Sequence, residues 1–139
     1  MEAKFNRTLS EQKKSSFLGG NCLLTAGIFY SEQGNYELAI KYLTKALLLF
    51  KRYDGPEWSA AISEANIIFG SAYHKQGDFA TALDYYLPEE EILSGNSDYS
   101  SLKNVVSKIE DCYLHLNQYD NAAIYAAKNL KLAEKLVPL

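Results

Sequence analysis

The stretch GIFYSEQGNYELAIKYL, residues 27–43, decides the fold because the chain repeats it twice. The second copy is GSAYHKQGDFATALDYY at residues 70–86, and the third is EDCYLHLNQYDNAAIYA at residues 110–126. Each copy has a turn residue at the same place, and these residues are Gly34, Gly77 and Asn117. Glycine and asparagine tolerate the left-handed conformation that closes a helix. Each copy therefore predicts two helices joined by a tight turn.

The side chains around the turn also agree between the copies. A tyrosine lies four residues before it, an aromatic residue two after it and an alanine five after it. The position seven residues before it is Gly27, Gly70 or, in the third copy, Glu110. A small residue lets two antiparallel helices approach closely, and a neighbouring ring fills the space beside the contact. Glu110 therefore predicts looser packing between the second and third pairs, or a pair boundary that is shifted there by one residue.

This pattern of a small residue, a tyrosine, a turn and an alanine resembles the tetratricopeptide repeat family, in a variant with longer helices. The resemblance implies an all-α fold, a right-handed superhelical stack of three antiparallel helix pairs. We expect a single domain over residues 1–139, with the pairs near 9–53, 56–94 and 98–136. The six helices are predicted at 9–33, 36–53, 56–76, 79–94, 98–116 and 119–136.

Capping residues support these helices. Thr8 and Glu11 form the pattern of a capping box before the first helix. Asn35 and Asp78 are suited to cap the second helices of the first and second pairs. Pro88, in contrast, interrupts the fourth helix, where an interior proline costs about 3 kcal/mol. We expect this helix to bend or restart at Pro88. An alternative interpretation is that residues 89–91, three glutamates, form an acidic docking point there.

The composition argues against several function classes. The net charge is −3, from 14 basic and 17 acidic residues, and no basic patch suited to nucleic acid is present. The N-terminal residues are too polar for a signal peptide, and no apolar run approaches the length of about 18 residues that spans a membrane. We therefore expect a cytoplasmic protein that has neither nucleic-acid nor membrane partners. The two cysteines, Cys22 and Cys112, are expected to be small packing residues.

No catalytic motif is found in the sequence. A nucleophile elbow, a phosphate-binding glycine loop and the zinc motif HExxH are all missing. His74 and His115 fall near the ends of two first helices, but two histidines without a third ligand are weak evidence for a metal. We therefore expect no enzyme activity, no cofactor and no metal site.

In the tetratricopeptide repeat family, the first helix of each pair lines a concave groove. The resemblance therefore implies which residues would contact a partner, and these combine apolar anchors with hydrogen-bonding groups. They are Asn21, Leu24, Thr25, Ile28, Ile67, Ile68, Ser71, His74, Lys75, Asn104, Lys108, Asp111 and His115. The competing interpretation is that long helices bury several of them in the core.

These features favour a protein–protein interaction module, an adaptor or scaffold that binds a peptide or protein segment in the groove. Two alternatives stay open: a fragment of a peptide-sensing bacterial regulator, and a small secretion-type chaperone. The last predicted helix also leaves apolar residues such as Leu130 uncovered, although solenoids usually end in a polar cap. We therefore expect one of three explanations for this uncovered face: it associates with a second copy in a homo-oligomer, it binds another partner, or the chain is a piece of a longer protein.

Overall fold

The computed structural model describes residues 8–137 of the 139-residue chain. Within this range the secondary structure consists of six α-helices and includes no strand. They are α1 (Leu9–Glu32), α2 (Tyr36–Phe50), α3 (Pro56–Gln76), α4 (Phe79–Gly95), α5 (Tyr99–His115) and α6 (Tyr119–Leu136). The predicted all-α fold is confirmed, and every boundary except the end of α2 lies at, or next to, its predicted residue.

The chain divides into two compact units, Met1–Ile68 and Phe69–Leu139, which we call the N-terminal unit and the C-terminal unit. The N-terminal unit contains α1, α2 and most of α3. The C-terminal unit contains the end of α3 together with α4, α5 and α6. The single domain expected over residues 1–139 stays a prediction.

Side-chain caps fix where four of the described helices begin. In each case a side-chain oxygen accepts a hydrogen bond of 3.1–3.3 Å from the backbone N–H three residues later. These bonds satisfy N–H groups that have no partner inside the helix. The capping residues are Thr8, Asn35, Asp78 and Asp98. The first three were predicted as caps and are confirmed.

The three turns share one backbone geometry. The turn residues have left-handed φ angles, which are 79° at Gly34, 89° at Gly77 and 60° at Asn117. In each turn the N–H of the following residue donates a 2.9 Å bond to the carbonyl of the tyrosine at the end of the first helix. These tyrosines are Tyr30, Tyr73 and Tyr113. The predicted equivalence of the three copies is therefore confirmed at the level of the backbone.

In the N-terminal unit, α1 and α2 form an antiparallel pair around two glycines. A Cβ atom on Gly27 would lie 2.6 Å from Leu43 Cδ2, and one on Gly20 would overlap the Phe50 ring. Both partner side chains are fully buried, at 0% exposure. The two helices therefore approach at distances that only glycine permits.

Trp58, in the first turn of α3, completes the core of this unit and is 2% exposed. Its ring centroid lies 5.2 Å from that of Phe17 and 5.1 Å from that of Tyr53. The predicted extension of α2 to residue 53 is wrong, because α2 ends at Phe50. The chain leaves the helix after Phe50, and Tyr53 packs against Trp58 from the connection that follows.

In the C-terminal unit, the end of α3 packs against α4 through a third glycine contact. A Cβ atom on Gly70 would lie 2.6 Å from Tyr86 Cε1. Next to it, the rings of Phe69 and Tyr85 stack with centroids 5.0 Å apart. Helix α5 packs against both α4 and α6. Its inward side chains are almost completely buried, and they are Val105, Val106, Ile109 and Cys112.

The third pair replaces the packing glycine by a polar network. Asn129 Nδ2 on α6 donates a 2.9 Å hydrogen bond to Glu110 Oε1 on α5. Asn129 Oδ1 accepts a 3.1 Å bond from Ser107 Oγ. Glu110 stands where the first two pairs have glycine, so side-chain hydrogen bonds join these helices at that position. This network gives a physical basis for the departure that the sequence shows in the third copy.

Helix α4 runs without interruption from Phe79 to Gly95, with Pro88 inside it. The expected restart at Pro88 is therefore wrong, whereas a bend of the helix axis stays a prediction. The acidic docking point is not formed by all three glutamates, because Glu89 is 2% exposed. Glu90 is also occupied, since it binds Tyr125 and Lys128.

Candidate binding site

In the N-terminal unit, the predicted groove residues of α1 differ in their access to solvent. Leu24 is 4% exposed and belongs to the core, whereas Ile28 is 39% exposed. Thr25 is exposed as well, and its hydroxyl donates a 3.0 Å bond to the carbonyl of Asn21 one turn earlier. Helix α1 therefore presents Ile28, and not Leu24, as its apolar surface residue among the predicted set.

The burial of Leu24 follows from its place on the helix. It lies four residues after Gly20 and three before Gly27, so it shares the face that packs against α2. Ile28 comes one residue after Gly27, so it lies off that face. In the same unit Ile67 and Ile68 of α3 are both half-buried, and they keep part of their apolar surface accessible.

In the C-terminal unit, three predicted residues come together around one carboxylate. His74 Nε2 on α3 lies 2.5 Å from Asp111 Oδ2 on α5. His115 Nδ1 lies 3.4 Å from the same oxygen. Their side chains are 21%, 42% and 50% exposed for His74, Asp111 and His115, so the cluster is accessible from solvent. We call these three residues the histidine cluster.

The backbone fixes the tautomer of His115. Its Nδ1 lies 2.9 Å from the carbonyl oxygen of Asp111, and a carbonyl only accepts, so Nδ1 carries the proton. The ring of His115 also stacks on Phe79 with centroids 4.2 Å apart and an interplanar angle of 17°. The His74 ring meets Phe79 edge-on at 5.2 Å. Phe79 is the repeat aromatic two residues after the second turn, and its ring contacts both histidines.

The other predicted residues of this unit also reach the surface. Lys75 and Asn104 are exposed, and Ser71 and Lys108 are half-buried. Phe79 was not predicted as a site residue. Its stacking on His115 could not be read from the sequence, because the two residues lie on different helix pairs.

The C-terminal unit also holds a cysteine next to this cluster in the sequence. Cys112 is fully buried, and burial, followed by the charge of Asp111, raises the pKa of its thiol to about 12. Since the thiolate is the nucleophile, the neutral thiol of Cys112 is poorly suited to covalent chemistry.

Across residues 8–137, no group of three or more histidine, cysteine, aspartate or glutamate side chains is arranged to hold a metal ion. The geometry of the histidine cluster suits hydrogen bonding to a partner.

No helix in the described part of the chain has both the length and the apolar character needed to cross a membrane. A comparison with curated proteins finds no match. A comparison with protein families finds that residues 21–87 match the model described as tetratricopeptide repeat. This segment runs from α1 through α2 and α3 into the first half of α4. Residues 21–87 therefore form a tetratricopeptide repeat region.

Proposed function

We propose that the chain is a non-catalytic adaptor or scaffold that holds a peptide or protein segment against its first helices, in the cytoplasm. Tetratricopeptide repeats are in general protein–protein interaction modules, which supports the broad class. The observation that carries the finer proposal is the histidine cluster. It gathers hydrogen-bonding groups from two first helices, α3 and α5, at an accessible surface.

The chemistry of the histidine cluster suits the backbone of an extended peptide. Such a backbone offers N–H donors and carbonyl acceptors that a protein surface can satisfy. In neutral His115 the Nε2 atom accepts, since Nδ1 carries the proton. The ionised carboxylate of Asp111 also accepts, and the neighbouring Phe79 ring offers an apolar face.

In the N-terminal unit, we assign a separate apolar contact to Ile28 and Ile67. Ile28 is 39% exposed and Ile67 is half-buried, so each can lose further apolar surface when a partner binds. Burial of apolar area contributes roughly 25 cal/mol per Å². Leu24, which is already buried, is left out of this contact set.

The test selects a ligand from a random peptide library displayed on phage, with the full chain as bait. Calorimetry then compares the dissociation constant of the selected peptide for the wild type and for two variants of the histidine cluster, His115→Ala and Asp111→Ala. We expect each variant to raise it at least tenfold, or about 1.4 kcal/mol. Lys41→Ala, an exposed change on α2, is the matched control and should leave it unchanged.

Circular dichroism of each variant shows whether the helices are intact, so that loss of binding is not confused with unfolding. Selection that yields no peptide, or peptides that bind both folded variants like the wild type, would contradict the proposal. The regulator and chaperone alternatives rest on the resemblance, and no contact described above favours either.

A further inference from the structure

The C-terminal unit has a second accessible recess, which shares no residue with the histidine cluster. It is a cavity of about 250 Å³ bounded by α4, α5 and α6. Its apolar floor consists of Leu102 and Val106 of α5 and Leu132 of α6, which are 7%, 1% and 7% exposed. We call this recess the lysine groove, because three lysines of α6 form one of its walls.

The three lysines are Lys128, Lys131 and Lys135, which follow each other at intervals of three and four residues. This spacing places them on one face of α6. Lys128 Nζ lies 2.9 Å from Glu90 Oε2 and 4.4 Å from the centre of the Tyr125 ring. Lys135 Nζ lies 4.4 Å from the centre of the Tyr99 ring. Aromatic rings therefore hold two of the three ammonium groups in place beside the floor.

Glu90 anchors the opposite wall of the groove. Its Oε1 accepts a 2.6 Å hydrogen bond from Tyr125 Oη, and its other oxygen binds Lys128. One carboxylate thus faces three ammonium groups. Across residues 8–137, no carboxylate forms an ion pair with Lys131 or Lys135. The groove therefore keeps uncompensated positive charge on a chain whose net charge is −3.

We propose that the lysine groove binds an acidic peptide segment of a partner protein, with an apolar side chain on the floor and carboxylates against Lys131 and Lys135. Charge complementarity identifies the occupant, since Lys131 and Lys135 have no carboxylate partner among residues 8–137. The floor requires an apolar group beside those charges, which an acidic peptide has and a phosphate backbone lacks. Rings that hold the lysines in place lower the entropy lost on binding.

The size of the groove also favours a peptide segment over a small molecule. Sites for small molecules enclose roughly 300–1,000 Å³ and surround most of the ligand. The lysine groove, at about 250 Å³, is smaller and open to solvent along its lysine wall. It accommodates side chains of a segment that continues across the surface.

The probe is a short fluorescent peptide with one leucine flanked on both sides by glutamates. Two matched peptides serve as controls, one with serine in place of leucine and one with lysines in place of the glutamates. Fluorescence anisotropy with the full chain should show the acidic leucine peptide binding at least about tenfold more tightly than either control. Raising the ionic strength from about 0.05 to 0.5 M should weaken it, because salt screens exposed charges.

Variants then locate the contact. Lys131→Glu and Lys135→Glu are exposed changes and should each weaken binding of the acidic peptide by about fivefold or more. Lys41→Glu on α2 reverses an exposed charge outside the groove and is the control for net charge. Methyl NMR of the wild type should show the largest shift changes at Leu102, Val106 and Leu132.

Four results would overturn the proposal. One is that neither reversal changes binding, or that Lys41→Glu weakens it as much. Another is that the basic or serine peptide binds equally well, or that the acidic peptide does not bind. A third is that methyl shifts occur elsewhere. A fourth is that the charge reversals at Lys131 and Lys135 leave binding of the acidic peptide unchanged but abolish binding of another ligand. The other ligands to be tested are duplex DNA, phosphatidylserine vesicles and a second copy of the chain.

Discussion

Gly70 and Tyr86 are packed so closely that any side chain at position 70 would overlap the Tyr86 ring. A Cβ atom there would lie 2.6 Å from Tyr86 Cε1, and the Tyr86 ring is 0% exposed, so it cannot swing into solvent. Gly27 and Leu43 have the same relationship in the first pair, also at 2.6 Å. The position seven residues before the turn is thus the point at which the helices of the first two pairs meet.

We predict that Gly70→Ala lowers the free energy of unfolding. Overpacking costs about 1–3 kcal/mol, which outweighs the roughly 1 kcal/mol that alanine gains over glycine in a helix. Gly19→Ala is the matched control, because its Cβ would lie 3.4 Å from Leu49 Cδ1, an ordinary contact. That variant should gain up to about 1 kcal/mol. Urea denaturation measures both, and equal effects of the two changes would refute the close contact at Gly70.

The turn at Gly77 gives a second prediction, which concerns the backbone alone. No atom lies within 4 Å of a Cβ built on Gly77, but its φ is 89°. Gly77→Ala should therefore cost about 1–2 kcal/mol without any clash. Gly77→Asn should cost less, since Asn117 adopts a left-handed conformation in the equivalent turn. If thermal unfolding ranks alanine equal to or above asparagine, the equivalence of the turns does not hold.

A third prediction concerns Pro88, which is exposed inside the continuous helix α4. Pro88→Ala restores a backbone N–H to the carbonyl of Asp84 and removes the clash of the ring with that turn. We expect the free energy of unfolding to rise by about 1–3 kcal/mol and the helical circular dichroism to stay the same or increase. A loss of stability would mean that the packing of α4 depends on a bend at Pro88.

The fourth prediction is a pH dependence. Burial raises the pKa of the Cys112 thiol to about 12, whereas the pKa of an unfolded cysteine is about 8.5. Between these values the unfolded chain releases the proton first, so stability falls as the pH rises. The fall from this group is at most about 1.4 kcal/mol per pH unit.

The measurement is urea denaturation between about pH 7.5 and 9, where unfolded tyrosines, with a pKa of about 10, are still mostly protonated. The wild type should lose stability across this interval, and Cys112→Ala should lose less. Cys22→Ala is the control because Cys22 is exposed. Burial also raises the pKa of Tyr86, so a further fall is expected at higher pH in both variants. Parallel pH profiles of the wild type and Cys112→Ala would exclude the thiol as the cause.

Most of the fold could be predicted because the sequence repeats the same local solutions. A turn residue, a cap and a tyrosine at fixed spacing act over a few residues, so Gly34 and Asn35 specify a turn without tertiary information. The end of α2 could not be predicted in this way. Lys51, Arg52 and Tyr53 are compatible with a helix. The helix nevertheless ends before them, and Tyr53 makes a tertiary contact by packing on Trp58.

The candidate sites were less predictable, because they depend on which face of each helix is buried. The spacing of Gly20, Leu24 and Gly27 could have placed Leu24 in the core, since all three lie on one helical face. All three residues of the histidine cluster were predicted as groove residues, but the contact of both histidines with the Asp111 carboxylate was not. The lysine groove was missed because Leu102 and Val106 of its floor, and its anchor Glu90, come from helices other than the one that bears the lysines.

The bonds of Glu90 have a consequence for the order in which the C-terminal unit folds. They join residues separated by 35 and 38 positions, whereas Gly70 and Tyr86 meet within one helix pair. Closing a longer loop costs more entropy, and contacts between distant residues tend to form late. A late contact slows unfolding more than it speeds folding. Glu90 would accordingly act on the lifetime of the folded C-terminal unit, by retaining α6 after the local helix pairs have already formed.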